Sequence, residues 1–171
     1  DINNSFNTTI EKIVQSGATV EYKSLPEIDS AFEISKTVFP AEAYGIWHHE
    51  IEKNPEKMFV PIRERFRSGR DIAAHDYIFS LNKLFDLRMS FLQKVLGFDA
   101  ILAPTSPIKP PCITRLLDDH DFFTKKNLMA LRNTRIANSL NLSALTLPTK
   151  TNFSGLMLMG RPNSEIELMC I

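Results

Sequence analysis

The feature that most constrains this fold is a long amphipathic segment between residues 71 and 96. Apolar residues recur there every three or four positions, which places them on one face of an α-helix. This stripe consists of Ile78, Leu81, Leu84, Phe85, Phe91, Leu92 and Val95, with Arg88 on the same face. Asp71 is placed to cap the start of the helix, and Gly97 follows its end. We expect this helix to be the main scaffold, with its stripe packed against β-strands.

Short apolar or alternating runs predict four strands, at residues 18–22, 98–103, 143–147 and 155–159. Helical periodicity predicts five further helices, at 5–14, 28–51, 55–67, 121–140 and from 164 onwards. Pro40 is expected to kink or split the second of these. The combination indicates an α/β fold in which helices flank a mixed sheet. Four strands beside long helices rarely complete a sheet, so we expect residues 1–171 to form a single partial domain.

Composition excludes several classes of function. The 20 Lys and Arg residues balance 20 Asp and Glu residues, and no basic patch indicates a nucleic-acid or membrane-surface partner. No apolar run approaches the ~20 residues that span a bilayer. Cys112 and Cys170 fit neither a disulfide framework nor a zinc site, so reduced thiols in a cytoplasmic protein are expected. Because the sequence starts at Asp1 without methionine and stops at Ile171 inside a predicted helix, both ends are expected to be cut.

Two clusters contain side chains of the types that bind metals: residues 48–52, which include two adjacent histidines, and residues 118–121. The sequence has no His-Glu-x-x-His motif, and adjacent histidines point about 100° apart on a helix, so only one could join Glu52. A solvated helix face explains the first cluster, and helix N-capping by Asp119 or Asp121 explains the second. We therefore expect no metal and no other cofactor.

Four segments, in this order, resemble the C-terminal half of the amidase-signature family. They are IRERFRSGRDIAAHDY at 62–77, FDAILAPT at 98–105, NSLNLSALTLP at 138–148 and GLMLMGR at 155–161. Order and spacing agree over nearly the whole chain. Asn141 stands where most members have glycine, and Ser143 stands where they have proline. These differences alter turns and leave the substrate type open, while the fold is retained.

The resemblance implies an enzyme that hydrolyses carbon–nitrogen bonds of small-molecule amides. A serine attacks the carbonyl, and a second serine in a cis peptide and a lysine relay its proton, because a serine hydroxyl is a weak nucleophile without a base. In the family these groups lie in a Gly/Ser-rich loop and an upstream lysine. The six glycines here are all isolated. We therefore expect no catalytic residue in this chain and a missing N-terminal half as its partner.

Five side chains are predicted to line the substrate site of the complete enzyme: Arg65, Thr105, Ser106, Thr134 and Asn138. Arg65 matches an arginine near the substrate in amidotransferase members, although a surface helix position also explains it. Thr105 and Ser106 follow a predicted strand, where loops often border a ligand crevice. Ser106 lacks a Gly-x-Ser-x-Gly elbow and a nearby base, which argues against a nucleophile. Thr134 and Asn138 match family residues, and hydrogen bonding within the loop is their alternative role.

Two alternatives to a general amidase stay open. One is a subunit of a glutamine-dependent tRNA amidotransferase. Those members place an acidic residue ahead of the motif asparagine, at the position that Leu131 occupies here, which argues against this alternative. The other is a non-catalytic truncated or split module that acts as an interaction partner. In either case an open sheet edge predicts self-association.

Overall fold

Residues 2–171 are described by the computed structural model, and within them the chain forms eight α-helices and three β-strands. The helices are α1 (Ile2–Gln15), α2 (Glu27–Lys53), α3 (Val60–Arg67), α4 (Ala74–Lys94), α5 (Ile113–Asp118), α6 (His120–Ala130), α7 (Thr134–Leu140) and α8 (Glu165–Met169). The strands are β1 (Ile101–Pro104), β2 (Ser143–Pro148) and β3 (Gly155–Gly160). The predicted α/β class is confirmed. None of the helices in the described part of the chain has the length and apolar character needed to cross a bilayer.

The three strands form one sheet in the order β1-β3-β2. Ile101 lies opposite Met159, and Ser143 lies opposite Gly160. Both pairings are antiparallel, so the expectation of a mixed sheet is wrong for the described residues. For β2 and β3 the reason is the short connection at 149–154, because a parallel pair needs a crossover of about a dozen residues or more.

Each face of the sheet carries a separate apolar core. Alternate strand residues point to opposite faces, and one face packs on α2, α4 and α7. This core contains Ala31, Leu84, Phe91, Leu140, Met157 and Met159, with Ile101 and Ala103 beside it. The other face packs on α1 and α8 through Ile10, Leu156, Leu158 and Leu168, with Leu102 beside them. The sheet is therefore covered by helices on both sides.

Helix α4 buries a narrower stripe than its sequence indicates. Leu84 and Phe91 are fully buried, but Ile78 and Phe85 are 56% and 63% exposed. Helices α2 and α7 and the sheet pack on one side of α4, so these two residues of the predicted stripe stay mostly exposed to solvent. The predicted N-cap is also wrong, because the helix begins later and Asp71 instead pairs with Arg70.

Pro40 lies inside α2 and does not split it. Proline lacks an amide hydrogen, so one helical hydrogen bond is lost, but the packing of α2 on α3, α4 and α7 holds the helix together. A side chain at Gly69 would collide with the carbonyl of Pro40. Only glycine therefore allows the connection between α3 and α4 to approach α2 this closely.

Three other predicted segments have different bounds in the structure. The predicted helix 55–67 consists of a 3-10 turn at Pro55–Lys57 followed by α3, and the predicted helix 121–140 is divided into α6 and α7. Strand 98–103 begins and ends later, as β1. In each case the apolar sequence pattern from which the element was predicted does not stop at the residue where the observed element begins or ends.

Residues 18–22 do not form the predicted fourth strand. Gly17 ends α1 with a φ of 103°, and residues 18–25 then connect to α2 without helix or strand structure. No backbone hydrogen bond joins residues 19–24 to another part of the described chain. A strand needs a neighbour to satisfy its backbone groups, and none is present within residues 2–171.

Candidate functional site

Three of the five predicted site residues, Thr105, Ser106 and Thr134, lie at the contact between the end of β1 and the start of α7. We call this contact the β1–α7 junction (residues 104–106 and 133–134). Asn133 is only 6% exposed, and its Nδ2 donates a hydrogen bond to the carbonyl of Pro104 at 2.6 Å. This bond ties the end of β1 to the start of α7. It therefore brings Thr105, which follows Pro104, close to Thr134, which follows Asn133. Asn133 was not predicted, since nothing in its own segment shows that it reaches β1.

Thr105 is fixed by the sheet. Its backbone N donates to the carbonyl of Gly155 at 2.9 Å, and its hydroxyl donates to Oγ1 of Thr146 at 3.3 Å. A Cβ at Gly155 would lie 2.8 Å from the Thr105 hydroxyl, so glycine makes room for this side chain. The Ser106 hydroxyl donates to the carbonyl of Ile108 at 3.0 Å. The proton of Ser106 is thus engaged by a carbonyl, which cannot act as a general base.

Thr134 and Asn138 lie one turn apart on α7. The Thr134 hydroxyl donates to the carbonyl of Leu131 at 3.1 Å, which satisfies one backbone acceptor at the break between α6 and α7. Asn138 is exposed. Loop hydrogen bonding is therefore observed for Thr134, and the lining of a substrate site by either residue stays a prediction.

Arg65 lines a cavity of about 340 Å³ between α2, α3, α6 and α7. Arg135 lines the same cavity together with Ser35, Phe39 and Leu128. We call it the two-arginine cavity. Neither arginine forms an ion pair with an acidic side chain in residues 2–171. The sequence alone did not reveal Arg135, because its proximity to Arg65 depends on how α3 and α7 each pack on α2.

The guanidinium of Arg135 is held in an apolar setting with an unfilled donor. Its carbon lies 4.9 Å from the ring centroid of Phe32, and its Nε is buried without a hydrogen-bond partner in the described chain. Burial lowers the pKa of Arg135, and the positive charge of Arg65 lowers it further. An anion in this cavity would relieve both effects, because it supplies an acceptor and an opposite charge.

A buried polar network lies directly behind the cavity. The Ser35 hydroxyl donates to the carbonyl of Ala31 at 2.6 Å and accepts from the Ser139 hydroxyl at 2.9 Å. Arg88 Nε donates to the carbonyl of Ser139 at 2.9 Å. Arg88 on an otherwise apolar stripe was a sequence signal for this network. It fixes α2, α4 and α7 relative to one another and therefore the walls of the cavity.

The side chains that invited a metal hypothesis have other partners. Both carboxylate oxygens of Glu52 accept from Arg67, at 3.0 and 2.8 Å, and this hydrogen bonding lowers the pKa of Glu52. Asp119 accepts from the backbone N of Phe122 at 2.8 Å and caps α6, in agreement with the sequence analysis. Within residues 2–171 no three His, Cys, Asp or Glu side chains come together as a metal site would require.

The structure thus places four of the five predicted residues in two neighbourhoods, both of which include residues of α7 or its start. Thr105, Ser106 and Thr134 belong to the β1–α7 junction, Arg65 belongs to the two-arginine cavity, and Asn138 faces solvent. No serine hydroxyl in the described chain is hydrogen-bonded to the side chain of a lysine or histidine. The arrangement offers polar and cationic contacts to a ligand, without a base-activated nucleophile.

The fold of the chain, a sheet covered by helices on both faces, places it in the structural class of the amidases. The crystal structure of an amidase matches 98% of this chain with a TM-score of 0.79 at 20% identity, and the match covers 39% of that chain. A family model described as Amidase matches residues 1–169, and the chain therefore belongs to the amidase family.

Two curated relatives are similar over nearly the full length of this chain. A 2-amino-5-chloromuconic acid deaminase from Comamonas testosteroni is 27% identical over 170 residues, which is 95% of this chain and 36% of the relative. A glutamyl-tRNA(Gln) amidotransferase subunit from Sulfurisphaera tokodaii is 28% identical over 193 aligned residues, covering 97% of this chain and 40% of the relative. The chain spans well under half the length of either protein.

Proposed function

We propose that this chain is the C-terminal part of an amidase that hydrolyses a carbon–nitrogen bond of a small-molecule amide. The observation that carries the proposal is the family match across residues 1–169. By resemblance to the family, a serine attacks the amide carbonyl, and a second serine and a lysine relay its proton. We place these three residues in the missing N-terminal half and assign this chain the role of shaping the substrate site.

Hydrogen bonding in the chain supports that placement. The Ser106 hydroxyl donates to a backbone carbonyl, and the buried pair of Ser35 and Ser139 is bonded to a carbonyl and to each other. None of these serines has an amine or imidazole that could accept its proton. We therefore expect the purified chain to be inactive on simple aliphatic and aromatic amides. Turnover that Ser106→Ala abolishes would contradict this.

The enzymatic role has its own test. The portion of the Comamonas testosteroni relative that lies outside the match can be joined to this chain, and the hybrid assayed for ammonia release from amides. Hydrolysis by the hybrid supports the proposal. A hybrid that folds and hydrolyses none of the amides would contradict the enzymatic role and favour the non-catalytic module. Leu131, where an acidic side chain would be expected, makes a tRNA amidotransferase subunit the weaker alternative.

The two-arginine cavity supports a narrower substrate class, an amide that also carries a carboxylate. Arg65 and Arg135 both line the cavity, and Nε of Arg135 has no acceptor in the described chain. A guanidinium matches a carboxylate in geometry and charge. The relative from Comamonas testosteroni is named for an acid substrate, which agrees with an anionic end on the substrate of this protein.

Titration of the chain with fumarate, followed by NMR, tests the carboxylate site. We expect saturable binding that Arg65→Gln and Arg135→Gln each weaken at least about tenfold, since hydrogen bonds to charged groups contribute about 1.5–3 kcal/mol. Arg132→Gln is the matched control, because Arg132 lies three residues earlier and its side chain is half exposed. Equal weakening by all three variants would indicate nonspecific charge attraction and contradict the site.

A further inference from the structure

The two-arginine cavity is elongated along helix α2. Its floor is one face of that helix, formed by Ser35, Phe39 and Ala43. Residues four positions apart on a helix lie above one another, so this floor runs parallel to the helix axis. From Ser35 to Ala43 it extends about 12 Å, at about 1.5 Å per residue. The cavity therefore has two ends, one at the turn of Ser35 and one at the turn of Ala43.

Arg135 lies at the Ser35 end. Its guanidinium carbon is 4.9 Å from the ring centroid of Phe32, about one turn before Ser35. Helix α7 is held at the same place, because the hydroxyls of Ser139 and Ser35 lie 2.9 Å apart. Nε of Arg135 is buried without a hydrogen-bond partner in residues 2–171. This end therefore offers an anion both a positive charge and an unfilled donor.

Arg65 enters the cavity from the other end. At the start of α3, Arg63 donates from Nη1 to the carbonyl of Pro55, just past the end of α2, at 2.9 Å. Beyond the end of α3, Gly69 lies against the carbonyl of Pro40. Helix α3 therefore runs back along α2, and Arg65, which lines the cavity, reaches it from the Pro40 side. The two guanidiniums thus approach the cavity from opposite ends.

The middle of the cavity is apolar. Its walls there are the side chains of Phe39, Pro40, Phe66 and Leu128. No acidic side chain of the described residues lines the cavity. Lys36 also lines it, but the ammonium of Lys36 is paired with Glu33 at 2.6 Å. Two uncompensated positive charges therefore remain, with an apolar stretch between them.

The two charges act on each other across this stretch. Burial lowers the pKa of Arg135, and the charge of Arg65 lowers it further. A single carboxylate shared by both arginines would leave one charge uncompensated and the length of the cavity unfilled. A phosphate group concentrates its two charges on one centre and would leave the same length unfilled. Two carboxylates at the ends of a short apolar body compensate both charges and fill the middle, and each carboxylate matches the planar fork of one guanidinium.

We propose that the two-arginine cavity binds a dicarboxylate, with one carboxylate on Arg135 and the other on Arg65. This inference rests on the proposed function and narrows its substrate class, from an amide that carries one carboxylate to an amide that carries two. Phe39, Phe66 and Leu128 then contact the carbon chain between the carboxylates.

A comparison of fumarate with crotonate tests the two-ended site. Crotonate has the shape of fumarate with a methyl group in place of one carboxylate. We expect fumarate to bind the chain at least about tenfold more tightly in an NMR titration, because it gains a second charge-assisted contact. Equal affinities for the two acids would overturn the proposal. Inorganic phosphate that binds as tightly as fumarate would overturn it too.

Variants of the two arginines distinguish two carboxylate positions from one. Arg65→Gln should reduce the affinity for fumarate to that for crotonate and leave the affinity for crotonate within about twofold, since a single carboxylate takes the Arg135 end with its unfilled donor. Arg135→Gln should weaken both acids, and Arg132→Gln, the control, should weaken neither. If Arg65→Gln weakens crotonate as much as fumarate, both arginines bind one carboxylate and the proposal is overturned. Amide chemical shifts far from the cavity report whether each variant is folded, and the two affinities of Arg65→Gln decide the question if Arg135→Gln does not fold.

The outcomes separate this inference from the proposed function, because the titrations need no catalysis. A chain that prefers fumarate as described, in a folded hybrid that hydrolyses no amide, would support the dicarboxylate site and contradict the enzyme. A hybrid that hydrolyses amides, while its chain binds fumarate no better than crotonate, would support the enzyme and overturn the dicarboxylate site.

Discussion

At the scale of single residues, burial rather than residue type decides what a side chain on α4 contributes. Phe91 is fully buried among residues of α2, α7 and the sheet. Phe91→Ala removes an aromatic ring and leaves a cavity, so we expect the free energy of unfolding to fall by ~3–5 kcal/mol. Chemical denaturation of the purified variant measures this change.

Phe85→Ala is the matched control on the same helix. Phe85 is 63% exposed, so its truncation leaves no cavity and should cost less than ~1 kcal/mol. Both substitutions replace phenylalanine by alanine in a helix interior, so both gain the same helix propensity. That gain cancels when the unfolding free energies of the two variants are compared. Equal denaturation midpoints for the two variants would show that the packing of α4 described above is wrong.

Asn133 provides a second prediction at this scale. Its Nδ2 is the donor to the Pro104 carbonyl, so Asn133→Ala leaves that carbonyl without its side-chain donor. We expect a loss of ~1–3 kcal/mol in unfolding free energy and faster amide exchange at Thr105, both measurable on the same sample. Asn138→Ala on the exposed side of α7 should change stability by less than ~0.5 kcal/mol. If the two variants are equally stable, the β1–α7 junction does not depend on this bond.

At the scale of elements, an ion pair between half-exposed Lys94 and buried Glu27 joins the end of α4 to the start of α2. Lys94 Nζ lies 2.5 Å from Oε1 of Glu27, which is 6% exposed. The hydrogen bond from Lys94 is the main cause that lowers the pKa of Glu27 below its ordinary value of 4.5, against the opposing effect of burial. The charged carboxylate therefore favours the folded state.

This pair predicts a pH dependence of stability. A lowered folded-state pKa gives stability that is complete above the unfolded value of 4.5 and is lost as the pH falls through the folded value. The stability difference between the native chain and Glu27→Gln should thus be constant near neutral pH and shrink below pH 4.5. Denaturation over a pH series measures it. A difference that grows on acidification would reverse the sign and contradict the assignment.

Local sequence patterns correctly predicted the elements whose contacts are local. They failed for elements that depend on contacts between distant parts of the chain. Strands β2 and β3 were predicted because a short polar connection joins two apolar runs. The break between α6 and α7 was missed because the bond from Asn133 to Pro104 joins positions 29 residues apart. Residues 18–22 have a strand pattern, but pairing depends on a neighbour that their own sequence does not contain. At the candidate site, Arg65 was found by resemblance, and Arg135 was visible only after α3 and α7 had enclosed one cavity.

At the scale of the whole molecule, a large apolar surface remains without a partner in the described chain. Ile78, Phe85 and Met89 on α4 are 56%, 63% and 49% exposed. Their spacing of seven and four positions places them on one helix face. Exposed apolar faces of this kind mark interaction sites or sites of self-association. The self-association predicted from the sheet edge thus has a second candidate surface, which is a helix face rather than a strand.

We expect the purified chain to self-associate through this face of α4. Phe85→Glu places a charge in the middle of the apolar stripe, so it should shift the weight-average mass in sedimentation velocity toward the monomer at the same concentration. Lys83→Glu, a charge change on an exposed neighbouring position, is the control and should leave the mass distribution unchanged. A native chain that stays monomeric at high concentration, or a mass that falls equally with Lys83→Glu, would contradict this surface.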